Sequence, residues 1–275
     1  MTTAVLTPDA VTYVCTLVRQ RAAIELEASK AYLIEARLTP VAKRNGYTSA
    51  TDMVRALQLN PKPDLQQKLV EAMTTNETSF YRDAHPFEAL RTTLIPELLR
   101  SNGAKKTLNI WSAACSTGQE AYSIAMLLAE QFPELMQWKV QILGTDLSDD
   151  VLNKAREASY SQIEMNRGLP AALLTKYFER EGMQWRLAQK IRNMASFCKL
   201  NLIERWPSMP TMDVVFLRNV LIYFAPETKK LILQKVRQVM APHAALFLGA
   251  AETTMGLDTA FDRVQHGNSV FYRLK

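Results

Sequence analysis

The chain has 275 residues, 48% of them hydrophobic, and carries a net charge of +6 from 33 Lys and Arg against 27 Asp and Glu. That is enough for one large or two ordinary folded domains in a soluble protein, and the basic balance suggests an acidic partner, whether nucleic acid, membrane surface or protein. A membrane-spanning chain is excluded, because no apolar run approaches roughly 20 residues and the best candidate, "MDVVFLRNVLIYF", is broken by Arg218 and Asn219.

The first hundred residues read as helices. "MTTAVLTPDAV" has no basic start, so no secretory signal is expected. Thr7 caps a helix with Pro8 at its first position and Val11, Val14, Cys15 and Val18 at helical spacing. "SKAYLIEARL" forms a second helix, punctuated by Pro40 and Gly46, and Ser49 caps a third that ends before "NPKP". "DLQQKLVEAM" and a long "HPFEALRTTLIPELLRSNG" follow, the latter closed by Gly103.

From Thr107 onward short apolar runs alternate with amphipathic helices. "TLNIWSA", "WKVQILGTD", "MDVVFL", "AALFLGA" and "SVFYRL" are strands; "GQEAYSIAMLLAEQF", "SDDVLNKAREA" with Ser148 as cap, and "PETKKLILQKVRQVM" are helices. This alternation predicts an α/β fold with a mostly parallel sheet. The segment "MQWRLAQKIRNMASFCKLNL" breaks it and reads as a small ribbon off the sheet or as a long surface connection. The expected division is a helical domain over 1–84, a linking helix over 85–103, and an α/β domain over 104–275 with a β insertion at about 183–199.

In such sheets ligands bind beyond the carboxyl ends of the strands. The stretch "SAACSTGQE" occupies the place of a glycine-rich nucleotide turn but holds only Gly118, a poor cradle for pyrophosphate. A ligand with an amino-acid end and no phosphate, such as S-adenosylmethionine, suits it better, with Glu120 facing positive charge; the alternative is a first-turn glutamate favoured by the helix dipole. Asp146 in "GTDLS" is either an acceptor for ribose hydroxyls or a plain helix cap. Cys15, Cys115 and Cys198 are odd in number and far apart, which favours a reducing cytoplasm over a disulfide framework, and His85, His243 and His266 scatter, so no metal is expected.

Four stretches in order, "TTNETSFYRD", "WSAACSTGQEAYSIAM", "GTDLS" and "LRNVLIYF", with "NLIE" between the last two, resemble the CheR family of chemotaxis-receptor protein-glutamate O-methyltransferases. The resemblance implies a Rossmann-like class I methyltransferase domain after a small all-helical one. It implies an enzyme that moves a methyl group from S-adenosylmethionine to glutamates on the cytoplasmic helices of receptors, leaving S-adenosylhomocysteine; a cytoplasmic monomer is expected. Carried over by position, the cofactor contacts are Asn76, Thr78, Arg82, Glu120, Asp146, Asn201, Leu202, Leu217 and Arg218, completed by the adjoining Ala113, Gly118 and Asn219. Arg82, Arg218 and Tyr223 would lie near the transferred methyl; without the resemblance the two arginines read equally as structural ion pairs. Lys30, Arg37, Lys43, Arg44 and Arg55 would offer a basic face to an acidic receptor helix, or are simply solvated. Members tethered to a receptor's C-terminal pentapeptide carry a glycine-containing insertion in the ribbon; only Gly182 stands here, so no tether is expected. The competing readings are a methyltransferase acting on RNA, which lacks a binding signature such as an RRM or KH motif, a non-catalytic S-adenosylmethionine sensor, and an NAD-dependent dehydrogenase, which lacks the glycines.

Overall fold

The computed structural model describes residues 6–275, so the reading of residues 1–5 lies outside it. The chain forms two compact units, one ending at Thr75 and completed by Tyr223–Thr228, the other made of Asn76–Ile222 and Lys229–Lys275.

The helical unit holds α1 (Pro8–Ala22), α2 (Ala31–Arg44), α3 (Ala50–Leu59) and α4 (Pro63–Met73). The expected caps form: the Thr7 hydroxyl accepts from the Ala10 amide and the Ser49 hydroxyl from the Asp52 amide. Val14, Val18, Leu38, Met53, Leu57 and Leu69 are fully buried between the helices. Pro40 does not end α2, which runs on to Arg44, because buried Val41 and Ala42 keep its last turn packed on the core. The Tyr223–Thr228 segment joins this unit through an Ile24–Phe224 bridge and a bond from the Glu25 amide to the Tyr223 carbonyl.

The second unit begins with α5 (His85–Ala89) and α6 (Ile95–Ser101), separated by a π-helical turn at Leu90–Leu94 where the sequence suggested one uninterrupted helix. Then follow β1 (Thr107–Ala113), α7 (Gln119–Gln131), β2 (Lys139–Asp146), α8 (Asp149–Glu157), β3 (Ser159–Ser161), α9 (Gln162–Met165), α10 (Ala171–Tyr177), β4 (Phe178–Glu181), β5 (Gln184–Leu187) and α11 (Gln189–Arg192). The chain closes with β6 (Ala195–Lys199), β7 (Met212–Leu217), α12 (Pro226–Val239), β8 (Met240–Leu248), β9 (Phe261–His266) and β10 (Ser269–Leu274). The main sheet has the order β6-β2-β1-β7-β8-β10-β9, parallel as far as β8 and antiparallel beyond it. The small antiparallel sheet is β3-β5-β4.

Two boundaries differ from the sequence reading. Of the segment expected to form a β insertion at 183–199, only Gln184–Leu187 enters the small sheet; Ala195–Lys199 pairs in parallel with β2 as the edge of the main sheet. The helical unit closes at Thr75 rather than near residue 84. The cause is Phe80, fully buried and edge-on to Tyr160 at 5.1 Å and Phe178 at 5.7 Å, which folds "NETSFYRD" into the sheet unit. Gly168 lies against the same segment at φ +87°, where a Cβ would sit 2.1 Å from the Phe80 carbonyl oxygen. No described helix is long and apolar enough to cross a membrane.

Candidate active site

The turn between β1 and α7 passes through left-handed backbone at Ala114, Ser116 and Gly118. Only the last is glycine, and the space its Cβ would fill is taken by Ala155 at 3.0 Å and Tyr122 at 3.2 Å, so this glycine answers to the packing of α8 and to its φ rather than to a ligand. The turn is held by its neighbours. The Ser116 amide donates to Asp146 Oδ2 at 2.9 Å and the Ser116 hydroxyl to the Asn76 carbonyl at 2.8 Å. The Cys115 amide donates to the Thr145 carbonyl, and the Tyr160 hydroxyl to the Thr117 carbonyl, both at 2.9 Å.

Asp146 stands at the end of β2, buried, and its Oδ1 also accepts the Ser148 amide at 3.1 Å. Ser148 occupies the N-cap position of α8 without a capping bond from its side chain, so the carboxylate of Asp146 braces both loops.

Glu120 and Arg218 meet across the β1 and β7 loops. The guanidinium, only 2% exposed, donates from Nη1 to Glu120 Oε2 at 2.9 Å and from Nη2 to Asp83 Oδ2 at 2.8 Å and the Arg82 carbonyl at 3.0 Å. The other oxygen of Glu120 accepts the Ser112 hydroxyl at 2.7 Å. One buried cation therefore ties together the segment from Asn76, the β1 turn and the β7 loop. Tyr81, Asp83 and Asn219, in the same loops, also hold positive φ, the kind of strain that surrounding structure maintains at functional sites.

Other residues singled out by sequence are placed variously. Ala113 and Leu217 end β1 and β7, both buried, and Leu202 is buried after β6. Arg82 brings its carbonyl to Arg218, but its side chain donates to the Glu77 carbonyl at 2.9 Å. Asn76 is exposed and Thr78 half-buried on the same segment. Asn201 donates to Glu204 at 3.0 Å, and the Asn219 amide donates to Glu252 at 2.8 Å. Tyr223 belongs to the helical unit. Arg37, half-buried, is committed within that unit: it donates to the Met73 and Thr74 carbonyls at 2.7 and 3.1 Å and to Thr75, completing the end of α4.

Sequence reasoning missed three residues. Asp83 and Glu252 are carboxylates in strand-end or site segments, and the question asked of Asp146 would have found both. Lys235, on α12, donates to the carbonyls of Leu202, Ile203 and Glu204 at 3.1, 3.0 and 2.7 Å and lies over Trp206, which is itself edge-on to Trp111. Burial pushes its ammonium below the usual lysine range. Replacing it should loosen the Leu202 turn: Lys235→Met is expected to cost about 1.5–3 kcal/mol of stability in calorimetric melting, the scale of one lost charged hydrogen bond. The Cys115 thiol, in contrast, is pushed well above its ordinary range by burial and by Asp146 and Glu120, which removes it as a nucleophile.

Residues 9–74 match the model of the CheR methyltransferase all-alpha domain, and residues 76–270 that of the CheR methyltransferase SAM binding domain. The chain is similar to the chemotaxis protein methyltransferase Cher2 of Pseudomonas putida, 39% identical over 92% of this chain and 93% of that protein. It is likewise 40% identical to chemotaxis protein methyltransferase 1 of Pseudomonas aeruginosa, over 92% and 93%. Chemotaxis protein methyltransferase 1 of Vibrio cholerae is 34% identical over 95% of both chains.

Proposed function

The chain belongs to the CheR methyltransferase family, and from that premise we propose that it methylates glutamate side chains of chemoreceptors with S-adenosylmethionine as donor, working as a monomer in the cytoplasm. The observation that carries this reading is the buried Arg218 guanidinium, paired with Glu120 and with the exposed Asp83 at the ends of the parallel strands.

The residues present suit the donor. Two carboxylates, Glu120 and Asp146, face a turn whose one glycine is spent on packing, an arrangement adverse to a phosphate and favourable to a cationic ligand. Glu120 would hold the amino group and Asp146 the ribose hydroxyls, since a carboxylate oxygen can accept more than one hydrogen bond. Asn76, Thr78, Ala113, Asn201, Leu202, Leu217 and Asn219 would form the rest of the cofactor surface. Bound S-adenosylmethionine supplies a methyl group on a positively charged sulfur: as a carboxylate oxygen takes the methyl, the C–S electrons return to sulfur and no proton moves.

The protein's own task is placement. A glutamate with a pKa of about 4.3 is ionised at neutral pH and needs no general base. Orientation alone is worth up to about 7–11 kcal/mol, and the fork of an arginine holds one carboxylate oxygen while leaving the other free. We assign that holding to Arg218 and Arg82; a part for Tyr223 rests on the resemblance of "LRNVLIYF" alone. Lys43, Arg44 and Arg55, all exposed, together with Lys30, would meet the acidic receptor helix; Arg37 is already spent on α4. Since β4 and β5 are joined by Gly182 and Met183 alone, no pentapeptide tether is assigned.

With methyl-labelled S-adenosylmethionine and receptor-bearing membranes, the label should enter the receptor as an ester and leave as methanol in mild alkali. Label that resists alkali would sink the assignment to glutamate oxygen.

A further inference from the structure

Beside the Glu120–Arg218–Asp83 line lies a cavity of about 320 Å³, walled by Asp83, His85, Arg218, the loop after β8, and Arg263 and Tyr272 of the last hairpin. This is the lower end of the range for ligand sites, suited to one side chain and its neighbours.

The balance of committed and uncommitted groups gives the cavity its chemistry. Its acids are already satisfied. Glu252 accepts the amides of Gly249, Asn219 and Ile222 at 2.6, 2.8 and 3.2 Å, clamping the β7 and β8 loops together, and Asp83 accepts Arg218. Gly249 permits the clamp, since a Cβ there would come within 2.7 Å of both Asn219 Nδ2 and Glu252 Oε2. Its cations keep donors to spare. Arg218 Nε is buried without a hydrogen-bond partner. Arg263, exposed on β9, donates to the Gln265 side chain at 2.9 Å and forms no ion pair among the described residues. What remains to be met in the cavity is therefore donor capacity, at Arg218 Nε and the Arg263 guanidinium, the hydrogen-bonding complement of a carboxylate. Arg218 also links it to the cofactor turn, one nitrogen on Glu120 and another on the cavity wall at Asp83.

We propose that this cavity receives the acceptor glutamate of the receptor, its carboxylate directed at Arg218, while Arg263 at the rim engages acidic residues of the same receptor segment. The inference rests on the functional reading above.

The test uses the full chain and membranes carrying a full-length chemoreceptor, with initial rates of base-labile methyl incorporation measured against receptor concentration and S-adenosylhomocysteine affinity measured separately. Arg263→Ala should raise the receptor KM about 5- to 20-fold and Arg263→Glu at least 50-fold, with cofactor affinity within twofold and Arg263→Lys close to wild type. Added salt should raise the wild-type KM more than that of Arg263→Ala. Thr253→Trp, at an exposed position on the cavity wall, should block the acceptor and leave the cofactor affinity unchanged. A receptor KM within twofold of wild type in Arg263→Glu, or cofactor affinity falling in step with activity in both variants, overturns the assignment of the cavity. Absence of base-labile product with the wild-type chain instead overturns the functional reading itself.

Discussion

Arg218→Met is expected to lower kcat/KM by more than 100-fold and to cost about 3–5 kcal/mol of stability, the range for removing one partner of a buried ion pair. The side chain is 2% exposed and its partner Glu120 13%, so the substitution leaves an acid in the interior whose remaining bond is from the Ser112 hydroxyl. Asp83, 47% exposed, loses little, since water can replace its partner. For a unit of this size the loss corresponds to a melting point lower by roughly 6–20 °C. Arg218→Lys should recover part of the stability by restoring charge, and little activity, because an ammonium cannot reach Glu120, Asp83 and the Arg82 carbonyl at once. Calorimetric melting and initial rates check both; activity within threefold of wild type in the methionine variant would remove Arg218 from the site.

Asp146→Ala is expected to weaken S-adenosylhomocysteine binding 100-fold or more. Two losses combine. The proposed ribose acceptor disappears, worth about 1.5–3 kcal/mol for a charged hydrogen bond, and the amides of Ser116 and Ser148 are orphaned at about 1–3 kcal/mol each. The second loss frees the β1 turn that carries Glu120. Asp146→Asn separates the two, since its one carbonyl oxygen keeps a single amide bond, and should lose about 10-fold. Titration calorimetry reads both, and an alanine variant binding within threefold of wild type would show that the carboxylate is only a brace.

The residues that sequence alone determined are those whose environment repeats along the chain. β1, β2, β7 and β10 were legible because each carries a short apolar run where it enters the core, such as Val214–Leu217 in β7 and Val270–Tyr272 in β10. The caps at Thr7 and Ser49 were legible because capping is a local bond between near neighbours. Glu120 and Asp146 were legible as candidates because they are polar residues at strand ends in a fold that binds ligands there, and Arg218 through the resemblance of "LRNVLIYF". Tertiary structure alone decided the rest. β6 and β9 are edge strands whose exposed residues write no hydrophobic pattern, and each exists because a neighbour offers it a ladder. Phe80 moved the domain boundary by burying itself against Tyr160 and Phe178, aromatic contacts across 80 and 98 residues of chain that local pattern does not carry. The partners of Arg218 lie 98 and 135 residues away, so whether it was a surface cation or a buried, paired one depended on where the sheet brought Glu120 and Asp83. Local sequence selects which groups are available; the register of the parallel strands selects which of them meet.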